Sequence, residues 1–168
     1  MNSSKHDGWS GHHRGYEGQT NEWLTPPEII QAVGPFDLDP CSPINRPWNT
    51  ANKHYTIEDD GLAQDWGSDF VWMNPPYGPH TKVWMKKLSE HNNGIALIFA
   101  RTDTEYFQKY VFNKADCIFF LAKRLYFHYI DGSKSKNNSG APSVLIGYGE
   151  KSCNRLSNCP LEGKFVTL

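Results

Sequence analysis

Residues 74–77 read Asn-Pro-Pro-Tyr, followed by Gly78 and preceded by the apolar run Phe70-Val71-Trp72-Met73. Two consecutive prolines fit neither a helix interior nor a central strand, so the run predicts a strand that ends in a stiff turn. Pro75 and Pro76 contribute carbonyl oxygens and no N–H, and the Asn74 side chain adds an amide oxygen. Two acceptors held side by side suit a planar NH2 group, which has two protons to donate. Accepting both favours a pyramidal nitrogen whose lone pair is free to attack a cationic sulfonium methyl placed in line. The gain is mainly orientation and charge placement. Tyr77 can stack on the ring that carries the amine, and Gly78 lets the chain pass close to a ligand. A DNA base would have to be flipped from its duplex to arrive there, at a cost of a few kcal/mol. The bland alternative is a structural turn with a packed tyrosine. The strand before it, the helix after it and the earlier Asp39-Pro40 favour chemistry.

These residues need a frame. Thr25 can cap a helix over "PPEIIQAV", with Glu28 completing a capping box and Gly34 stopping it. "PFDLDP" predicts a short strand ending at Asp39-Pro40, and residues 41–66 are polar and irregular. "TKVWMKKLSEHNN" places Trp84, Met85 and Leu88 on one helical face, and "IALIFA" is apolar enough for a strand buried on both faces. Thr102 and Glu105 suggest a second capping box before Phe107, Tyr110 and Val111. "DCIFFLA" predicts another buried strand, and "RLYFHYI" and "SVLIGY" a strand pair around a polar loop, with 150–168 weakly patterned. Strand–helix alternation implies an α/β fold with a mainly parallel sheet, the last pair being antiparallel. Ligands in such sheets sit beyond the carboxyl ends of the strands. Asp37 to Pro40, Asn74 to Tyr77 and Arg101 to Asp103 all fall at such ends.

The 168 residues, 38% hydrophobic and 21% charged, suit one soluble globular domain over 22–168. Residues 1–21 are expected to be a mobile tail; they carry no secretory signal, and no run approaches a membrane span. A cytoplasmic monomer is expected, with Cys41, Cys117, Cys153 and Cys159 as reduced thiols. The net charge of −1 argues against binding nucleic acid by charge alone, though not against a local basic groove. Aromatics make up 14% of the chain, which serves a core as readily as base stacking.

The string "EWLTPPEI…FDLDPCS…YTIEDDGLAQDW…VWMNPPYG…ARTDTEYF…APSVLIGYG" resembles the phage-type DNA adenine-N6 methyltransferases, over about residues 22–149. The resemblance implies a Rossmann-like methyltransferase fold, in a form that the short chain could truncate. It also implies S-adenosylmethionine as cofactor and DNA as partner. Asn74, Pro75, Pro76 and Tyr77 would form the catalytic turn. Thr25 and Pro26 would contact the methionine part of the cofactor, and Asp39 with Pro40 would lie near its ammonium. Asp65 would accept from the cofactor's adenine amine, Trp66 would pack on that ring, and Asp60 or Asp59 would stand in for a ribose-binding acid. Two departures stand out. Cys41-Ser42-Pro43-Ile44-Asn45 replaces the Gly-rich loop, and a second strand with its ribose-binding acid is hard to find.

Weaker features remain open. Arg101 suits a phosphate, a base or a surface ion pair, and Asp103 is a helix-capping residue. Lys123, Arg124, Lys134 and Lys136 suit DNA or plain solvent. His6, His12 and His13 belong to the tail rather than a metal site. Aspartates 37, 39, 59 and 60 could hold magnesium for a nuclease, but that gives the Asn-Pro-Pro-Tyr turn no role. RNA adenine or a protein glutamine also presents a planar NH2, and a non-catalytic DNA-binding module could keep the fold.

Overall fold

The computed structural model describes residues 22–168; the expectations for the tail and for His6, His12 and His13 lie outside the described residues. Helix α1 (Pro27–Val33) leads to strands β1 (Leu38–Asp39), β2 (Lys53–His54) and β3 (Val71–Met73). Helix α2 (Thr81–His91) and strand β4 (Gly94–Phe99) follow, then a π-helical turn over Phe107–Phe112 and strand β5 (Cys117–Leu121). Strand β6 (Ser143–Tyr148), helix α3 (Glu150–Ser157) and strand β7 (Gly163–Thr167) complete the order.

The strands form one seven-stranded sheet in the order β2-β1-β3-β4-β6-β5-β7. The β2-β1-β3-β4 half is parallel, with Leu38 opposite both Lys53 and Val71, and Trp72 opposite Ile95. Strand β6 runs antiparallel between β4 and β5, and β7 runs antiparallel along β5. The mixed α/β sheet expected from the alternation is therefore present, with β6 and β7 both running against it.

Side-chain alternation sorts the strands into two cores. Leu38, Val71, Met73, Ala96, Ile98 and Ile146 meet Trp84, Met85 and Leu88 of α2 and Phe107 and Val111 of the π-helical turn. Phe70, Trp72, Ile95, Leu97 and Leu145 meet Ile29 and Val33 of α1 and Leu156 of α3. Helix α2 starts where Thr81 Oγ1 donates to the Pro76 carbonyl at 2.8 Å, which ties the helix to the turn. Gly78, at φ 102°, makes that entry with backbone geometry glycine tolerates best.

Several expectations are corrected. Neither capping box forms. Helix α1 has no side-chain cap, and Glu105 instead pairs with Lys82 at 2.9 Å. "RLYFHYI" is not a sheet strand. Strand β6 already has β4 on one side and β5 on the other, so no edge is left for it. His128 instead bridges Leu24 and Lys134 in a small hairpin outside the sheet. Residues 150–168, unpatterned to the eye, supply α3 and β7. The missing second strand is the two-residue β2. Cys117 and Cys153 are joined by a disulfide between β5 and α3, whereas Cys41 and Cys159 are free.

Candidate active site

A cavity of about 460 Å³ opens beyond the carboxyl ends of β1, β2 and β3. The chain leaves β1 for β2 on one side and β3 on the other, and the cavity sits at that divergence, where open α/β sheets bind ligands. Its volume falls within the roughly 300–1,000 Å³ of small-molecule sites.

Asn74, Pro75, Pro76 and Tyr77 line it directly after β3. The Asn74 amide nitrogen donates to Thr25 Oγ1 at 3.2 Å and faces the Trp23 carbonyl at 3.5 Å. A carbonyl can only accept, so these contacts fix the nitrogen side of the amide. On the other side Asn74 Oδ1 accepts from the Tyr77 hydroxyl at 3.2 Å. An amide oxygen has two lone pairs, so one stays available. Burial pushes the Tyr77 phenol far above its usual range, which keeps it a proton donor. One face of the Tyr77 ring stacks on Phe99, centroids 4.3 Å apart and planes 13° from parallel, and Phe127 stands edge-on to the ring at 6.4 Å. Of the turn's carbonyls, that of Asn74 accepts from the Cys41 thiol at 3.3 Å and that of Pro76 from Thr81. The Pro75 carbonyl lies between them and is engaged by neither side chain.

The acidic wall is Asp39, which is buried. It accepts from the Thr50 hydroxyl through Oδ2 and from the Cys41 N–H through Oδ1 at 3.2 Å. Burial pushes its carboxyl up to about 6, against the pull of those hydrogen bonds and the Arg46 charge. Cys41 is likewise pushed well up by burial, with Asp39's charge adding to it, and stays a neutral thiol. Ile57, 84% exposed, also lines the cavity, as do Asp60 and Gly61.

The other expected residues divide. Thr25, Pro40 and Asp60 line the cavity; Pro26 does not, and its carbonyl accepts from Ile29 in the first turn of α1. Asp65 and Trp66 are not brought there. Asp65 closes a local turn by accepting from the Gly67 N–H at 2.8 Å. Trp66 is buried, donating to the Gly61 carbonyl and stacking on Trp84. It thus braces the back of the cavity wall instead of facing a ligand. Asp59 accepts from Thr56 in an exposed turn. Arg101 lies over the Phe99 ring and Asp103 is exposed; neither lines the cavity. Lys123 pairs with Glu162, Arg124 donates to the Ser139 carbonyl, and Lys134 sits over Tyr126. Among the described residues no three His, Cys, Asp or Glu side chains converge as metal ligands, so the aspartates named for a nuclease do not meet.

Sequence reasoning missed Arg46, Trp48, Thr50 and Ile57, all in the stretch taken as irregular. The 122–142 segment, part of which (131–142) was expected to read the target, packs against two residues of the lining. Tyr129 packs against Trp23 and His128 against Trp48, with centroids 5.1 and 5.2 Å apart. A turn-rich loop gives no periodic signal, and the lone Arg46 beside an acidic strand end was the available clue.

Comparison with known proteins gives three findings. The model of the family described as DNA N-6-adenine-methyltransferase (Dam) matches residues 15–155. The chain is 26% identical over 121 residues to the DNA N-6-adenine-methyltransferase of Haemophilus phage HP1 (strain HP1c1), covering 69% of this chain and 68% of the relative. No solved structure matches it significantly.

Proposed function

The chain belongs to the DNA N-6-adenine-methyltransferase family and is an adenine-specific DNA methyltransferase; on that footing we propose that S-adenosylmethionine is its methyl donor and that residues 74–77 are its catalytic turn. The observation that carries the second part is the Asn74 amide on the cavity wall, held by Thr25 at its nitrogen and by Tyr77 at its oxygen.

The residues present suit the donor. It is an amphiphilic cation with an amino-acid end and a flat ring. The cavity offers a buried carboxylate in Asp39, and its Arg46 Nε is buried with no acceptor among the described residues. An exposed apolar side chain, Ile57, also lines it, as does Asp60. Asp39 would hold the ammonium, and Ile57 and Asp60 would face the ring end. When bound, the donor supplies an electrophilic methyl group on a sulfonium.

The chain's own residues then do three things. Asn74 Oδ1 and the Pro75 carbonyl accept the two protons of the flipped adenine's N6, drawing its lone pair out of the ring. The face of Tyr77 turned away from Phe99 stacks on the base, which offsets part of the few kcal/mol of unstacking. The prolines hold this geometry before the base arrives, so little reorganisation is left for the reaction. No strong base is needed at the start, because the N6 proton becomes acidic only as the methyl transfers.

The test is incubation with methyl-labelled S-adenosylmethionine and, separately, DNA, RNA and protein, followed by digestion to monomers. Label in N6-methyladenine from DNA is expected. No transfer from this donor to DNA would overturn the cofactor assignment. Equal transfer to RNA or to glutamine would show an acceptor site broader than a DNA base.

A further inference from the structure

The loop after β1 lines the cavity, and its first backbone donors are absent or already spent. Pro40, Pro43 and Pro47 have no N–H. The Cys41 N–H is spent on Asp39 and the Ser42 N–H on the Tyr55 carbonyl at 2.9 Å. The same loop carries Arg46, which lines the cavity together with Asp39. Arg46 Nη1 donates to the Pro43 carbonyl at 3.1 Å, which anchors the guanidinium from one corner. Its Nε is buried without an acceptor among the described residues, and no described carboxylate forms a salt bridge with it. A buried donor left unmade costs about 1–3 kcal/mol, so such a group marks a place where a ligand's acceptor belongs.

We propose that Arg46 binds the α-carboxylate of the methyl donor while Asp39 holds its ammonium, so that the cavity selects an amino-acid zwitterion. This rests on the donor being S-adenosylmethionine. The guanidinium is a planar charged fork, which suits a carboxylate better than a lysine would. Arg46 is also near enough to act on Asp39 electrostatically, and both residues line the cavity.

The experiment is calorimetric binding of S-adenosylmethionine and of its decarboxylated form to the wild-type chain, Arg46→Gln and Arg46→Lys. Circular dichroism serves to check folding. The wild type is expected to prefer the intact donor by roughly 10- to 100-fold, the range of a charge-assisted hydrogen bond. That preference must appear although the decarboxylated form carries one more net positive charge, which Asp39 would favour. Arg46→Gln should lose the preference by weakening only the intact donor, and Arg46→Lys should fall between. A wild type that binds both forms alike overturns the proposal without any variant. So does an Arg46→Gln that weakens both equally, which would mark a structural role. Binding of neither form would sink the donor assignment, and this proposal with it.

Discussion

Thr25 and the Trp23 carbonyl together hold the Asn74 amide nitrogen. The carbonyl contact is the longer, at 3.5 Å, so loss of the Thr25 acceptor would leave the amide loosely held where the proposed reading needs its oxygen. Thr25→Val keeps the shape and removes the acceptor. Single-turnover methyl transfer should fall about 10- to 100-fold, the worth of one buried hydrogen bond, while donor affinity stays within about twofold. Thr25→Ser should restore most of the rate. A fall in affinity equal to the fall in rate would point instead to the methionine-end contact that the family resemblance implies. On the proposed reading Asp39 carries the pH dependence. Only its ionised form holds a cation, and burial sets its carboxyl at about 6. Donor affinity measured by calorimetry should therefore rise about tenfold per pH unit well below 6 and level off above it. His54, held down to about 4 by burial, stays neutral through that window. The unliganded fold has the opposite slope. Asp39 binds its proton more tightly folded than at its unfolded value of 3.8, so stability falls by on the order of 3 kcal/mol as pH rises from 3.8 to about 6. Asp39→Asn should flatten both curves. That Asn74, Tyr77 and Asp39 would share one cavity was legible in the sequence, because a proline turn and a strand-end acid mark the strand ends locally. Thr25 was misread as a cap because its partner is 49 residues away.

At the scale of elements, the cavity wall depends on the turn after β2 pressing against the end of β1. Gly61 makes that contact, since a Cβ there would collide with the Pro40 carbonyl and stand 3.2 Å from the Trp84 ring. Backbone cannot yield as a flexible side chain can. Gly61→Ala should therefore push residues 56–61 off the cavity, lowering donor affinity by at least about tenfold and stability by about 1–3 kcal/mol, the usual cost of overpacking. Calorimetry and denaturant melts would check the two together, and a variant with lower stability but unchanged affinity would show that the turn does not shape the site. Elements with strong patterns were readable: β3, β4, β5 and α2 carry apolar runs or faces that bury as expected. Strand β2 was not, because Lys53-His54 has no strand pattern and is set by its neighbours. Lys53 N–H bonds the Asp37 carbonyl and Tyr55 N–H bonds that of Asp39. "RLYFHYI" failed for the converse reason. Its alternation is real, but its partner is Leu24 rather than a sheet edge.

Across the whole molecule the sheet divides by task. The cavity gathers at the ends of β1, β2 and β3, whereas β6, β5 and β7 lie on the far side of β4, with α3 packed over them. No local pattern announces that second half. Strand β7 is mostly exposed, and its place is fixed only by pairing Gly163–Thr167 against Leu121–Cys117. Its physical role follows from what it covers, the edge of Cys117-Ile-Phe-Phe-Leu121, whose open N–H and C=O groups and apolar side chains would otherwise invite pairing between molecules. Deleting residues 163–168 should therefore lower the melting temperature by on the order of 10 °C, equivalent to a few kcal/mol in a chain of this size, and raise light scattering on heating. Donor affinity measured at low temperature should stay within about twofold of wild type, because no residue of β7 reaches the cavity. If affinity and stability fall together in that variant, the two halves of the sheet are coupled and the antiparallel strands help to shape the methyl-transfer site.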